Sequence, residues 1–249
     1  MPRLMQLRTA AVCVLALCAT AAFAASASAK TVTATLRVVG AGKEVLTEGE
    51  LKSSDMSVKT SKNATCFGSG TGGSGKSVSL LGNSALGLLA NGSRAISTLS
   101  PLSITDHFSF GLGLCGVGQE KAKGKSSWYV KINHKGTTVS ANKAKIKTGD
   151  EVLFDLAPGY PYPEELVVAA PEEATAGVPF TVTVYAYNEK GKRKPIRGAA
   201  VTGAIGPTDK QGKVSITLTK PTALIAGLGE AIPSAAVPVC LAGVCPAGS

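Results

Sequence analysis

The chain has 249 residues, 44% hydrophobic, 17% charged and 5% aromatic, with 29 Gly, 13 Pro and a formal net charge of +10. The apolar share is too high for a disordered chain, glycine lacks the period of collagen, and no run of about 20 apolar residues occurs beyond the N-terminus, which excludes a polytopic membrane protein. Six Cys and only two His point toward disulfides and away from histidine-based metal or acid–base chemistry.

Residues 1–29 read as a secretory signal peptide: Arg3 and Arg8 form a basic start, Ala10 to Ala24 a short apolar stretch, and Ala27-Ser28-Ala29 a cleavage site. A lipoprotein would need a small residue just before its cysteine, and Leu17 precedes Cys18. Cleavage after Ala29 removes two of the 26 basic residues, leaving 24 against 16 acidic, net +8. Cys66, Cys115, Cys240 and Cys245 remain, an even set that suits two disulfides in an exported chain. Of the three possible connectivities, near-neighbour pairing (Cys66–Cys115 with Cys240–Cys245) is favoured. A zinc site would want C-x-x-C pairs, which this sequence lacks.

The period-two run Val32, Ala34, Leu36, Val38 predicts an opening strand, with Lys43 to Leu51 returning as a hairpin. Gly68 to Gly75 reads as a Gly/Ser-rich loop. A helix is expected over Ser77 to Ala90, with Leu81, Ala85, Leu88 and Leu89 on one face, Ser77 or Ser79 as N-cap and Asn91-Gly92 as its stop. Short strands follow at Ser109–Leu114, Ser127–Asn133, Lys143–Lys147 and Glu151–Leu156, the last entered through a Thr148-Gly149-Asp150 turn. The prolines of Ala157-Pro158-Gly159-Tyr160-Pro161-Tyr162-Pro163 make residues 158–163 a short stiff linker. Residues 30–157 carry 16 Lys/Arg and 9 Asp/Glu, whereas 158–249 carry 8 and 7, which supports a boundary there. Beyond it, Leu166–Ala169, Phe180–Tyr187, Ala200–Gly203 and Lys213–Thr219 read as strands at sandwich-like spacing. The tail from Pro233 is Ala/Pro/Val-rich, with no sortase motif or anchor.

Gly70-Thr71-Gly72-Gly73-Ser74-Gly75-Lys76-Ser77 matches a phosphate-binding loop letter for letter. A polar stretch precedes it instead of a buried strand, and the region lacks the crossover helices of a nucleotide-binding sheet, so it reads as a chance match. Eight lysines lie between Lys121 and Lys147. The trios Lys121, Lys123, Lys125 and Lys143, Lys145, Lys147 each alternate onto one face, either a solvated surface or a patch for a polyanion. Trp128 and Tyr129 are neighbours on one strand, so one ring is expected in the core and the other outward, as a sugar-stacking or partner contact. Asp106-His107 beside Ser103 and Ser109 lacks the geometry of a triad. His134 is expected in an exposed turn. Glu164-Glu165 and Glu172-Glu173 read as solvated charge without the oxygen-rich loop that calcium requires.

The segment from Cys66 to Leu156 resembles the DUF4430 family, similar to the C-terminal domain of transcobalamin and intrinsic factor. The resemblance rests on the strand Thr35-Leu36-Arg37-Val38, the apolar stretch around Ser84-Ala85-Leu86, Trp128-Tyr129-Val130-Lys131-Ile132-Asn133, and Lys147-Thr148-Gly149-Asp150-Glu151-Val152-Leu153-Phe154. It implies a β-grasp-like fold and, in the vitamin carriers, closure over cobalamin with a large helical domain, which is not expected from this sequence. No contact residue is carried across. Gly191, Pro195-Ile196, Gly198-Ala199, Val201, Thr208-Asp209 and Gly212 resemble the pattern of Ig-like and carboxypeptidase-regulatory-like modules, which serve as spacers or binding scaffolds. The pairing is similar to that of actinobacterial secreted proteins.

The expectation is a mainly β protein: an α+β, β-grasp-like domain (30–157) with one main helix, then an Ig-like β-sandwich (164–249). Functionally it reads as an exported binding or cell-envelope-associated protein without catalytic residues, cofactor or metal. A cell-wall polyanion, another surface protein or a small molecule would be its partner, and not nucleic acid, because aromatics do not interleave with the lysines. The mature chain is expected to carry no transmembrane anchor. A cobalamin-style carrier and an accessory module of an extracellular enzyme are the other readings.

Overall fold

A computed structural model describes residues 31–247, so the signal-peptide reading of 1–29 lies outside the described residues. Among the described residues the fold is mainly β with one α-helix. In chain order the first part holds β1 (Val32–Val39), β2 (Val45–Ser53), β3 (Met56–Lys59), β4 (Ser77–Leu80), α1 (Ala85–Ala95), β5 (Leu102–Thr105), β6 (Gly113–Val117), β7 (Glu120–Lys121), β8 (Ser127–Ile132), β9 (Lys135–Gly136) and β10 (Glu151–Ala157). The second part holds β11 (Glu165–Ala169), β12 (Glu173–Ala174), β13 (Phe180–Tyr187), β14 (Arg193–Pro195), β15 (Ala200–Val201), β16 (Lys213–Ile216), β17 (Thr222–Leu224), β18 (Ala226–Gly227) and β19 (Val237–Leu241).

Five strands form the main sheet in the order β2-β1-β10-β8-β9. The opening and closing strands β1 and β10 run parallel at its centre, and the other pairings are antiparallel. Alternation decides the two faces. Leu36 and Val38 on β1, Val152 and Phe154 on β10 and Val130 on β8 point to α1, where they meet Leu86, Leu88 and Leu89 in the larger core. Each such side chain, fully withdrawn from water, contributes ~1.5–3 kcal/mol. The opposite face carries Arg37, Val39, Tyr129, Lys131, Leu153 and Asp155. All six are buried as well, because the second part of the chain lies against them. A second core, built from Leu166, Val182, Val184, Ile216, Leu224 and Val239 among others, fills the 166–241 region. Ile232 from that region packs with Val39 and Leu153, joining it to the main sheet.

The helix differs from the sequence expectation. Ser77 to Leu80 is a strand paired with β3, and the N-cap is Ser84, whose Oγ accepts from the Gly87 N–H at 3.1 Å. Leu81 is exposed and takes no part in the buried stripe. Asn91-Gly92 does not stop the helix. The Asn91 side chain donates to the Gly87 and Ser54 carbonyls at 2.9 Å, so it is tied down inside the helix instead of competing with it. Lys143–Lys147 is likewise no strand. The Ala141 and Ala144 carbonyls accept the Leu86 and Ala85 N–H groups, so this segment satisfies the free donors of the first helical turn. The tail holds a strand that its composition hid: β19 pairs with β12 and β17.

Cysteine pairing is Cys66–Cys115 and Cys240–Cys245. The first spans 49 residues and the second 5, so chain-entropy arguments assign them about 4 and about 2 kcal/mol. Replacing Cys66 and Cys115 together by Ala is expected to lower the denaturant midpoint clearly more than the same change at Cys240 and Cys245. Gly87→Ala is a second case. A Cβ there would enter the Leu81 carbonyl oxygen, so overpacking of ~1–3 kcal/mol outweighs a helix-propensity gain of ~1 kcal/mol, and urea unfolding should show a net loss.

Candidate functional site

Three strands of the main sheet each place one charge in an otherwise apolar run: Arg37 on β1, Lys131 on β8 and Asp155 on β10. They converge on the face opposite the helix. Glu165, at the start of β11, is the group that Arg37 and Lys131 receive. Its carboxylate pairs with the Arg37 guanidinium, lies 3.0 Å from Lys131 Nζ and 3.1 Å from His134 Nδ1. Lys131, fully buried, also donates to the Tyr187 carbonyl at 3.2 Å, and Arg37 donates to the Pro233 carbonyl. At the other end of the face, Asp155 is held by Lys43 Nζ at 3.1 Å. The cluster bridges residues on both sides of the 158–163 segment.

Two turns are bent to serve it. Lys43 (φ 62) and His134 (φ 66) adopt left-handed backbone conformations that favour Gly or Asn. Asn133-His134 forms the two-residue connection between β8 and β9 with both φ positive, where Asn-Gly is the preferred pair. The histidine is accepted there because its ring reaches Glu165, stacks on Tyr187 at 4.4 Å and faces Glu151 across 3.6 Å.

Burial alone would raise the Glu165 carboxyl. The His134 hydrogen bond and the charges of Arg37 and Lys131 outweigh it and hold the pKa at about 2. Burial pulls Lys131 below the ordinary lysine value against the attraction of Glu165, and raises Asp155 despite Lys43. A cleft of about 290 Å³ opens beside the cluster, lined by Arg37, Glu48, His134, Glu151 and Glu165 with residues 235–238. Burial raises Glu48, although Arg37 lies near it, and its carboxylate accepts the Ala236 N–H at 3.0 Å. Chemically, Glu165 is matched by Arg37, Lys131 and His134 across the contact, while Asp155 is matched by Lys43 within the first part. The arrangement joins the two parts of the chain.

Several sequence candidates move accordingly. Glu165 is buried at the seam and is not solvated charge; His134 is half-buried and not an exposed turn residue. Lys131 leaves the lysine stripe for the interior. Tyr129 is buried under Tyr162, rings 4.0 Å apart, and burial together with the Glu189 charge pushes its hydroxyl up to about 12. Trp128 packs half-buried on the main core, so neither ring of the pair is an outward platform. Lys121, Lys123, Lys125, Lys143, Lys145 and Lys147 are exposed. The structure places them at two locations: the first trio on β7 and its connection to β8, the second beside the N-terminus of α1, with Lys145 Nζ 3.4 Å from Asn83.

The Gly-rich loop is followed by a strand, not the helix that a phosphate loop requires, and its Ser74 N–H and Oγ are both given to Asp106 at 2.6 Å. Those two bonds hold Asp106 below its usual carboxylate range. Among the described residues no three His, Cys, Asp or Glu side chains gather into a metal-holding group, and no helix is long and apolar enough to cross a membrane.

Two surface features went unread in the sequence. One is a groove of mixed polar and apolar lining, about 740 Å³, at the Cys66–Cys115 disulfide, with Ser61, Thr65, Ser69, Ser103, Lys121 and Lys123 as its polar side and Pro101 and Leu102 among its apolar residues. The other is a phenylalanine cluster next to it: Phe67 meets Phe108 edge-on at 5.3 Å, and Phe108 stacks with Phe110 at 5.0 Å. Phe67 and Phe110 are 47% and 59% exposed in a chain with only six phenylalanines. Set against known protein families and characterised proteins, the chain matches none.

Glu165→Gln should destabilise the protein by ~3–5 kcal/mol in urea unfolding, since it leaves Arg37 and Lys131 buried without their carboxylate. The pH dependence has a defined sign. The Glu165 pKa is depressed on folding, so its stabilisation is complete above the unfolded value of 4.5 and is lost as pH falls toward about 2. Asp155, raised on folding, acts in the opposite sense. Glu165→Gln is therefore expected to flatten the acid loss of stability seen in the wild type. His134→Gly relieves the left-handed strain yet should still lower stability; a neutral or stabilising result would mean that the ring contributes nothing at the seam.

Proposed function

We propose that this chain is an exported, non-enzymatic two-module binding protein that contacts an anionic cell-envelope polymer. The observation that carries this reading is the groove at the Cys66–Cys115 disulfide. Exposed Lys121 and Lys123 supply positive charge there, and Ser61, Thr65, Ser69 and Ser103 supply hydroxyl groups. Such a surface attracts a polyanion through charge and orients it through hydrogen bonds. The disulfide fixes the groove wall, so little ordering accompanies binding. Two disulfides fit an oxidising compartment outside the cytosol. The charges of the seam support a non-enzymatic reading, because they are spent on one another and on joining the modules.

The second module then serves as a rigid support for the first, packed directly against its sheet. A cobalamin-style carrier would want a concave apolar pocket near Trp128 and the helix, and Trp128 packs on the main core instead.

The chain lacking residues 1–29 should be retained on purified Gram-positive cell wall at low salt and released at high salt, as counterion competition requires. Lys121→Ala with Lys123→Ala should weaken low-salt retention without changing the unfolding midpoint, since both side chains are exposed. Retention indifferent to salt and to these substitutions would contradict the reading, and measurable cobalamin binding in a parallel equilibrium experiment would favour the carrier.

A further inference from the structure

The segment that joins the two modules makes a second groove, of about 480 Å³, between Tyr160-Pro161-Tyr162, Glu164 and the β13–β14 turn residues Asn188, Glu189 and Lys190. Its size is within the ~300–1,000 Å³ of small-ligand sites, and such sites favour module junctions. Tyr160 is 78% exposed, so its ring is presented to solvent. It stands edge-on to Tyr162 at 5.9 Å and 89°, and Tyr162 lies flat on buried Tyr129 at 4.0 Å. The exposed ring is thus braced by a stack that reaches the main sheet.

We propose that this groove binds an uncharged stretch of polysaccharide, with one sugar ring laid on Tyr160. The C–H face of a pyranose carries a partial positive charge and suits the negative face of an aromatic ring, the same electrostatics that draws cations to tyrosine. Sugar hydroxyls need donors and acceptors around the stack. The groove offers both: the Glu189 carboxylate accepts, Lys190 donates, and Asn188 uses its carbonyl oxygen on the Lys190 and Lys192 N–H groups, leaving its NH₂ to donate. Those same bonds fix the turn that carries the three side chains. Pro158, Pro161 and Pro163 restrict the tyrosine segment, which reduces the ordering cost of binding. Lys190 beside Glu189, with Glu164 paired to Lys194 at 3.0 Å, leaves the groove without the single sign that an ionic polymer would want. The perpendicular rings provide one flat face and one edge, unlike the parallel aromatic ridges that hold a proline-rich peptide. The site is separate from the lysine groove and stands or falls independently of it.

The test is titration of the chain lacking residues 1–29 with cellotetraose, chitotetraose, maltotetraose and teichoic-acid-stripped peptidoglycan, all at high salt to silence the lysine groove. At least one of these should bind with little salt dependence. Tyr160→Ala should weaken that binding by ~10-fold or more, with unchanged circular dichroism and unfolding midpoint, because the ring is exposed. Tyr160→Trp should retain it. Failure of all four glycans to bind overturns the proposal, as does undiminished binding by Tyr160→Ala. Displacement of the bound glycan by a short proline-rich peptide would assign the groove to a peptide partner instead.

Discussion

Glu165 is a carboxylate almost wholly removed from water, and the way the two parts of the chain meet follows from how that charge is compensated. Its residue is 2% exposed, and three cationic or hydrogen-bonding side chains from the main sheet and its β8–β9 turn surround it. An unpaired charge there would cost several kcal/mol, so the second module can rest on the sheet only where Arg37, Lys131 and His134 meet it. Hydrophobic contact alone would tolerate sliding. Here the apolar contribution is small, centred on Val39, Leu153 and Ile232, and the ionic contacts fix position. The left-handed backbone at His134 is the local cost of that fixation.

This constraint also decides which side chains remain for binding. The face of the main sheet opposite the helix, which alternation alone would assign to solvent, is consumed by the contact. Tyr129 and Lys131 go with it. What stays outside is the disulfide-bordered groove with Lys121 and Lys123, the phenylalanine cluster at Phe67 and Phe110, and the tyrosine groove of the connecting segment. All three are carried on loops or short strands held by a rigid frame, the usual place for recognition.

The strands with a clean period of two were legible: Val32–Val39 and Phe180–Tyr187 match the expected spans because one face of each is uniformly apolar. The helix was legible in existence but shifted. The leucine spacing admitted Leu81, and only tertiary packing reveals that Ser84 caps while Leu81 faces water. Lys143–Lys147 has a strand's alternation without a strand's partner. Its Ala144 and Ile146 side chains do point inward and its lysines outward, yet its backbone is engaged in capping α1. The seam was hidden because Arg37 and Glu165 lie 128 residues apart. A signal was nevertheless present. A single charge inside each of Leu36-Arg37-Val38, Val130-Lys131-Ile132 and Phe154-Asp155-Leu156 is costly in an interior strand and calls for a compensating partner: Arg37 and Lys131 share Glu165, and Asp155 takes Lys43. Alternation alone does not reveal such partners, because period two describes direction and not what lies beyond it.

If the ionic seam makes one body of the two modules, their separate hydrophobic cores must unfold together. Differential scanning calorimetry of the chain lacking residues 1–29, at neutral pH and low salt, decides this. A single transition whose calorimetric and van't Hoff enthalpies agree is the expected result. Two resolved transitions, or a calorimetric enthalpy well above the van't Hoff value, would mean that the modules melt independently and that the buried charges do not couple them.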